Sequence, residues 1–280
     1  MASLRPLLFA FALALLAAAA VSARYVKQLD VDVDTPVYRV PDDVPLHDES
    51  LRYVLRWAGV PVAGASVTFE PAVGGDGLDF DVSGATHPAL DWLFPYRFWG
   101  AGHLNTSPLR PDRFVVDECT WQEHDRTEIR FPADASPIRG LRHRRGRWKQ
   151  YEFHSDNTYD IPSAAYLLMN VDYAPGAVFE LDTFTGKSRY LLRATVAGRE
   201  RVRAASADRD AWRLRLETRE LTDDDPDGRH RETDVWVSPE RPRRLLYASS
   251  KTFVGAITLE LAGEGAATPS GAPPEAVGAP

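Results

Sequence analysis

Apolar and charged residues take turns along most of this chain, and that alternation limits what it can fold into. Leu51, Tyr53, Leu55 and Trp57 are interleaved with Arg52, Val54 and Arg56. Ala65, Val67 and Phe69 alternate with Ser66, Thr68 and Glu70, and Leu78, Phe80 and Val82 with Asp79, Asp81 and Ser83. The pattern returns at Thr127-Ile129-Phe131, Tyr190-Leu192-Ala194-Val196, Trp212-Leu214-Leu216, Val235-Val237 and Ile257-Leu259-Leu261. Successive side chains of an extended strand point to opposite faces, so a period of two puts one face in the core and the other in water. About a dozen such segments imply antiparallel strands. Hairpins are expected at Thr185-Gly186-Lys187 and Asp225-Pro226-Asp227-Gly228.

Two stretches break the alternation and suit short helices. Thr86 to Phe94 carries an early Pro88 followed by Leu90, Trp92 and Leu93. Ile161 to Asn170 contains Ala164, Ala165, Leu167, Leu168 and Met169. So many strands with so little helix to cover them must curl. The expected fold class is all-β: a curved antiparallel sheet forming an open or partial barrel with two short helices. A membrane barrel needs an apolar outward face, whereas the alternate positions here carry Arg, Glu and Asp.

The ends of the chain have a different character. Met1 to Ala23 reads as a signal peptide: Arg5, an apolar run from Pro6 to Val21, and small residues at Val21-Ser22-Ala23. The run falls short of the roughly 20 residues that span a bilayer, although an uncleaved anchor is the alternative. Residues 24–49 form a polar arm that could add one edge strand, and 50–262 a single domain. Residues 263–280, made of Gly, Ala, Pro, Ser and Glu with little apolar content, are expected to be disordered. The reading is a periplasmic or secreted protein with no stable membrane span after cleavage. Cys119 is the one cysteine, so no internal disulfide can form. A net charge of −7 gives no reason to expect nucleic acid as a partner. No cofactor is expected.

Candidate chemistry is sparse. Thr185-Gly186-Lys187-Ser188 imitates the end of a phosphate loop, but Leu181 stands where the first glycine belongs, which leaves a hairpin turn. Asp223, Asp225, Asp227 and Asp234, with Gly228 at the sixth place, follow calcium-loop spacing. The last ligand is one methylene short, and a solvated hairpin tip selects the same residues. His103, His124, His143 and His154 have no zinc spacing, and Ser83-Gly84 is no nucleophile elbow. The basic run around Arg142, Arg144, Arg145 and Arg147 could grip phosphate, or could simply be a charged hairpin in water. Trp92, Leu93, Phe94, Pro95, Tyr96, Phe98 and Trp99 could be core or the mouth of an apolar cavity.

Two segments carry a family resemblance. Leu51 to Gly64, a strand ending in Trp57 followed by Gly59-Val60-Pro61 and Gly64, resembles the opening of the exported bacterial domain of unknown function 3108 family. Asp160-Ile161-Pro162-Ser163-Ala164-Ala165-Tyr166 resembles its acidic-x-x-Ser-Ala-x-Tyr helix. Ala174-Pro175-Gly176, Trp236-Val237-Ser238-Pro239 and Gly255-Ala256-Ile257-Thr258-Leu259 continue the likeness. The resemblance implies a curved periplasmic sheet, somewhat similar to lipoprotein-carrying half-barrels, and brings no catalytic residues. The function expected is therefore noncatalytic: an envelope protein holding a lipid or glycolipid in the concave face. Trp92, Phe94 and Trp99 would line the pocket, with Arg142, Arg144, Arg145 and Arg147 at the headgroup. The alternatives are a scaffold for another envelope protein, or a polysaccharide enzyme with two facing carboxylates.

Overall fold

Half-buried strands must have their backbone amides and carbonyls paired sideways, and here all the strands join one sheet. The computed structural model describes residues 27–30, 47–75, 77–106, 108–204, 207–222, 231–252 and 255–265. The signal-peptide stretch, most of the acidic arm, Asp223, Asp225, Asp227 and Gly228, and residues 266–280 lie outside these. The strands are β1 (Lys27–Gln28), β2 (Glu49–Trp57), β3 (Val60–Pro71), β4 (Gly77–Thr86), β5 (Tyr96–Thr106) and β6 (Leu109–Thr120). Then come β7 (His124–Arg130), β8 (Ile138–Arg144), β9 (Arg147–Phe153), β10 (Thr158–Tyr159) and β11 (Val178–Phe184). The last are β12 (Arg189–Ala204), β13 (Ala207–Glu220), β14 (Arg231–Val237), β15 (Leu245–Thr252) and β16 (Gly255–Glu264).

Their order is β1-β9-β8-β7-β6-β5-β4-β3-β2-β16-β15-β14-β13-β12-β11-β10. All pairings are antiparallel except the outermost two, β1 on β9 and β10 on β11. The acidic arm thus supplies an edge strand at Lys27–Gln28, and the final strand runs two residues into the tail segment, where Gly263 and Glu264 pair with Arg52 and Leu51. Register follows burial. Phe69 faces Phe80, Leu55 faces Leu259, and Phe114 faces Ile129, all buried. A one-residue slip would send each of these to water.

Length forces the curl. Sixteen strands laid flat at about 4.8 Å spacing would span roughly 70 Å. Yet β9 at one end of the order and β10 at the other are joined only by residues 154–157, a reach of roughly 17 Å. The sheet therefore closes on itself, and its ends overlap instead of pairing. Gly186, at the tip of the β11–β12 hairpin, lies against Thr127 and Ile129 on the inward side of β7. Phe184 meets Phe153 edge-on with ring centroids 5.0 Å apart. Arg189 reaches across to the Leu29 carbonyl at 3.0 Å.

One of the two expected helices forms. Helix α1 (Ile161–Asn170) buries Pro162, Ser163, Ala164, Tyr166, Leu167, Leu168 and Asn170, so almost no side of it meets water. It lies within the curl, with Tyr166 packed 4.7 Å from the ring of Phe69. Arg243 donates to the Val171 carbonyl at 2.6 Å, helping to satisfy the end of the helix. The other expected helix, Thr86 to Phe94, is a correction: Thr86 ends β4, and only Pro88–Leu90 makes a single 3-10 turn. Thr86 is held in the ladder because its buried hydroxyl accepts from the Tyr96 amide at 3.1 Å. Pro95 then disfavours a helical conformation at Phe94. Too few residues remain for an α-helix.

Asp160 starts α1, accepting from the Ser163 amide and from its hydroxyl, both at 2.8 Å. It is fully buried, and burial pushes its carboxyl up to about 6. A raised folded value favours the folded state below the ordinary aspartate range, and that contribution is lost as pH rises through 6. Asp160→Ala should lower stability by about 2 kcal/mol through the lost cap. Asp160→Asn, which keeps an acceptor without charge, should gain on the native protein between pH 4 and pH 7. Urea unfolding at the two pH values checks both; identical pH profiles for Asp160→Asn and native protein would refute the assignment.

Candidate functional site

Antiparallel alternation sends the turns after β2, β4, β6 and β8 to one end of the curled sheet, away from Phe69 and α1. On the inward face of that end, aromatic packing gives way to charge. Going inward along β5, Phe98 is buried, with Glu118 of β6 opposite it and Asp125 of β7 next in line. On β8, Arg142 follows Ile138 and Gly140 on the inward side and faces Lys149 of β9. Arg142 donates to Asp125 at 2.7 Å, with both side chains buried. Arg144 holds Glu123 at 2.5 Å, Arg145 grips the same carboxylate, and the Tyr96 hydroxyl donates to Glu118 at 2.6 Å. Burial pushes the Glu118 carboxyl upward and so favours its neutral form.

The tip of the β11–β12 hairpin brings one more cation to this group. Gly186 takes a left-handed φ of 81°, which turns the chain at the tip. Lys187 beside it is half-buried near Arg142, Arg144 and Lys149. Burial, and then the repulsion of Arg142, pulls its amine down to about 8. Among the described residues, no carboxylate lies within ion-pair distance of Lys149 or Lys187. The Nε of Arg142 and the Oδ1 of Asp125 are buried without a hydrogen-bond partner. Five cations, Arg142, Arg144, Arg145, Lys149 and Lys187, thus face Asp125, Glu123, Glu118 and the more distant Glu220. Unpaired buried polar atoms and crowded like charges are what an anionic ligand would relieve.

The residues singled out in the sequence scatter. Arg142, Arg144 and Arg145 join this cluster, but already hold Asp125 and Glu123. Arg147 is exposed at the start of β9. Phe94 is half-buried, stacked on Tyr96 with centroids 6.3 Å apart. Trp92 is exposed on the β4–β5 loop. Trp99 shares no pocket with the others: Phe98 takes the inward position, so alternation turns Trp99 to the outer face between Ser83 and Asp117. Deeper in, the buried apolar side chains form one contiguous cluster. The rings of Phe98, Phe114 and Phe80 lie so close to Gly84, Gly100 and Gly102 that an added Cβ would come within 3.0 Å or less of a ring carbon. Lys149 ends the basic run already visible in the sequence; Lys187 was missed, since nothing local to a turn lysine says that it will fold against another strand pair.

Other chemistry finds little support. On the outer face His124 bonds Asp117 at 3.0 Å and faces Cys119 in register. Burial and the neighbouring Asp117 push the Cys119 thiol up, the wrong direction for a nucleophile, and no hydrogen bond joins it to His124. Of the calcium candidates only Asp234 is described. It sits in β14 with its carboxylate on Arg213 at 3.0 Å, so its place is a strand ion pair. Among the described residues no group of three or more His, Cys, Asp or Glu could hold a metal. Nor is any helix there long and apolar enough to cross a membrane.

The family model for a protein of unknown function, DUF3108, matches residues 52–262. The chain belongs to that family. The DUF3108 match takes in β2 to β16, hence both walls of the cationic cluster. Among solved structures, the β-barrel-like protein of unknown function DUF1849 from Brucella abortus superposes with a TM-score of 0.52. The identity is 9%, over 76% of this chain and 95% of that one, a likeness of fold alone. A protein provisionally described as a lipoprotein, from Parabacteroides distasonis, gives a TM-score of 0.33 at 9% identity, over 81% and 99% of the two chains. No curated protein matches the sequence. Neither the DUF3108 description nor these structures names a catalytic activity.

Proposed function

We propose that this DUF3108 chain is a noncatalytic protein of the cell envelope, periplasmic or secreted. It holds the anionic head of a lipid or glycolipid between the β11–β12 hairpin tip and strands β7–β9. The observation that carries this reading is the inward group of Arg142, Lys149 and Lys187, where two ammonium groups lack carboxylate partners among the described residues. A phosphodiester there would pair with Lys187 and Lys149 and give Arg142 Nε its missing acceptor. Because Phe80, Phe98 and Phe114 belong to one contiguous apolar cluster, we place the tail of such an amphiphile outside the core.

Titration calorimetry with dimethyl phosphate and with dihexanoylphosphatidylglycerol separates a bare headgroup from an amphiphile. Both should bind, the amphiphile more tightly, and Lys187→Met should weaken each at least tenfold. Neither probe titrates between pH 7.5 and 9, so binding should fade across that range as Lys187 sheds its proton. The Lys187→Met variant should lose that dependence. An absence of heat at millimolar concentrations, or an unchanged Lys187→Met, would refute the assignment. The same contiguous core favours a second reading, a scaffold that holds another envelope protein. That reading gains if neither anion binds.

A further inference from the structure

The hairpin end of the barrel carries a surface that the headgroup reading does not use. Among the described residues, Val60, Val73, Trp92, Leu93, Trp121 and Val178 are the exposed large apolar side chains. Four of these six, including both tryptophans, sit on consecutive turns of this one end. Val60 follows the β2–β3 turn, Trp92 and Leu93 lie on the β4–β5 loop, and Trp121 lies on the β6–β7 turn. Trp92 is 74% exposed and Trp121 56%.

The turns are neighbours. Trp121 directly follows Thr120, the register partner of Tyr96, and Trp92 lies four residues before Tyr96. The two loops therefore stand about two strand spacings apart, on the order of 10 Å. The β8–β9 turn adjoins the β6–β7 turn because Arg145 grips Glu123. That brings in Arg147, exposed and with no carboxylate within ion-pair distance among the described residues. A row of indole and leucyl tips flanked by guanidinium groups has the composition of a membrane interface. Tryptophan settles at headgroup depth, and basic side chains gain from anionic lipid.

We infer that the hairpin end seats on the surface of an anionic lipid bilayer. Trp92, Leu93 and Trp121 enter the headgroup layer, and Arg147 faces lipid phosphates. Val60 extends the apolar edge. The contact is peripheral: the tips enter, and the sheet stays in water. It is independent of the Lys187 recess, though it would present that recess to lipid.

The test is sedimentation of the purified protein with vesicles of phosphatidylcholine containing 30% phosphatidylglycerol, set against phosphatidylcholine alone. The native protein should partition onto the anionic vesicles, with a blue shift in tryptophan emission. The double variant Trp92→Ser/Trp121→Ser should partition at least tenfold less, with unfolding unchanged because both rings are exposed. Val73→Ser, at the opposite end, should leave partitioning unaltered. Native protein that stays in the supernatant, or a double variant that binds like native, would overturn the inference. A Lys187→Met variant that binds vesicles normally yet loses dimethyl phosphate separates failure of the recess from failure of the rim.

Discussion

Arg189→Ala should lower the free energy of unfolding by about 3–5 kcal/mol, the range expected when one member of a buried ion pair is removed. Arg189 is the clasp of the overlap. Its guanidinium pairs with Asp182 at 2.8 Å, donates to the Leu29 carbonyl at 3.0 Å and lies 4.2 Å from the centroid of Phe153. Those three contacts reach β11, the residue that follows edge strand β1, and β9, which lie at opposite ends of the strand order. Among the described residues, removing the cation leaves the Asp182 carboxylate with only the Thr158 hydroxyl to donate to it. Burial already pushes that carboxyl upward, with Arg189 pulling it back. Without Arg189 the Thr158 hydroxyl is left to oppose the upward push, so the folded variant takes up a proton more readily and its deficit shrinks toward pH 4. Urea unfolding at pH 7 and pH 4 reads both effects. A deficit below 1 kcal/mol at pH 7, or one that grows with acid, would show that Arg189 does not close the sheet.

Gly140→Val should have the next largest effect, about 3 kcal/mol. A Cβ at Gly140 would stand 2.3 Å from the Gly186 carbonyl oxygen and 2.7 Å from Phe184 Cζ. The first of these is backbone, so no rotamer change relieves the clash and the hairpin tip has to lift. Lys187 moves with it, so the variant should also lose dimethyl phosphate binding. Gly64→Ala is the control. Its nearest neighbour is the Tyr53 carbonyl oxygen at 3.8 Å, ordinary contact, and its stability should change by less than about 0.5 kcal/mol. If Gly140→Val unfolds at the native urea concentration, β8 and the hairpin do not touch as described.

Much of this architecture could be read from local pattern. The two-residue period placed Leu55, Phe80, Ile129 and Leu214 on the core side, where each is buried. The apolar run within Ile161–Asn170 marked a helix, and Thr185-Gly186-Lys187 a hairpin turn. The helix expected at Thr86–Phe94 failed because its first residue belonged to a ladder whose other half lies on β3 and β5. Trp99 was grouped with Trp92 and Phe94 by composition, although its own parity with Phe98 sends it to the opposite face. The basic run at Arg142–Arg147 was visible. Its carboxylates, Glu123 and Asp125, were not, for they lie on the β6–β7 turn and on β7.

What the sequence determined by itself is strand identity and facing, because both depend on neighbours one or two residues away and on which of them water accepts. What only the tertiary structure decided is how the sheet ends: that β11–β12 lands on β7–β9, that Arg189 meets Leu29, and that Lys187 meets Arg142. Those meetings join residues tens of positions apart or more, across a curvature summed from the twist of sixteen strands. No local period records that sum, so the cationic site exists only once the sheet has rolled far enough for its two ends to overlap.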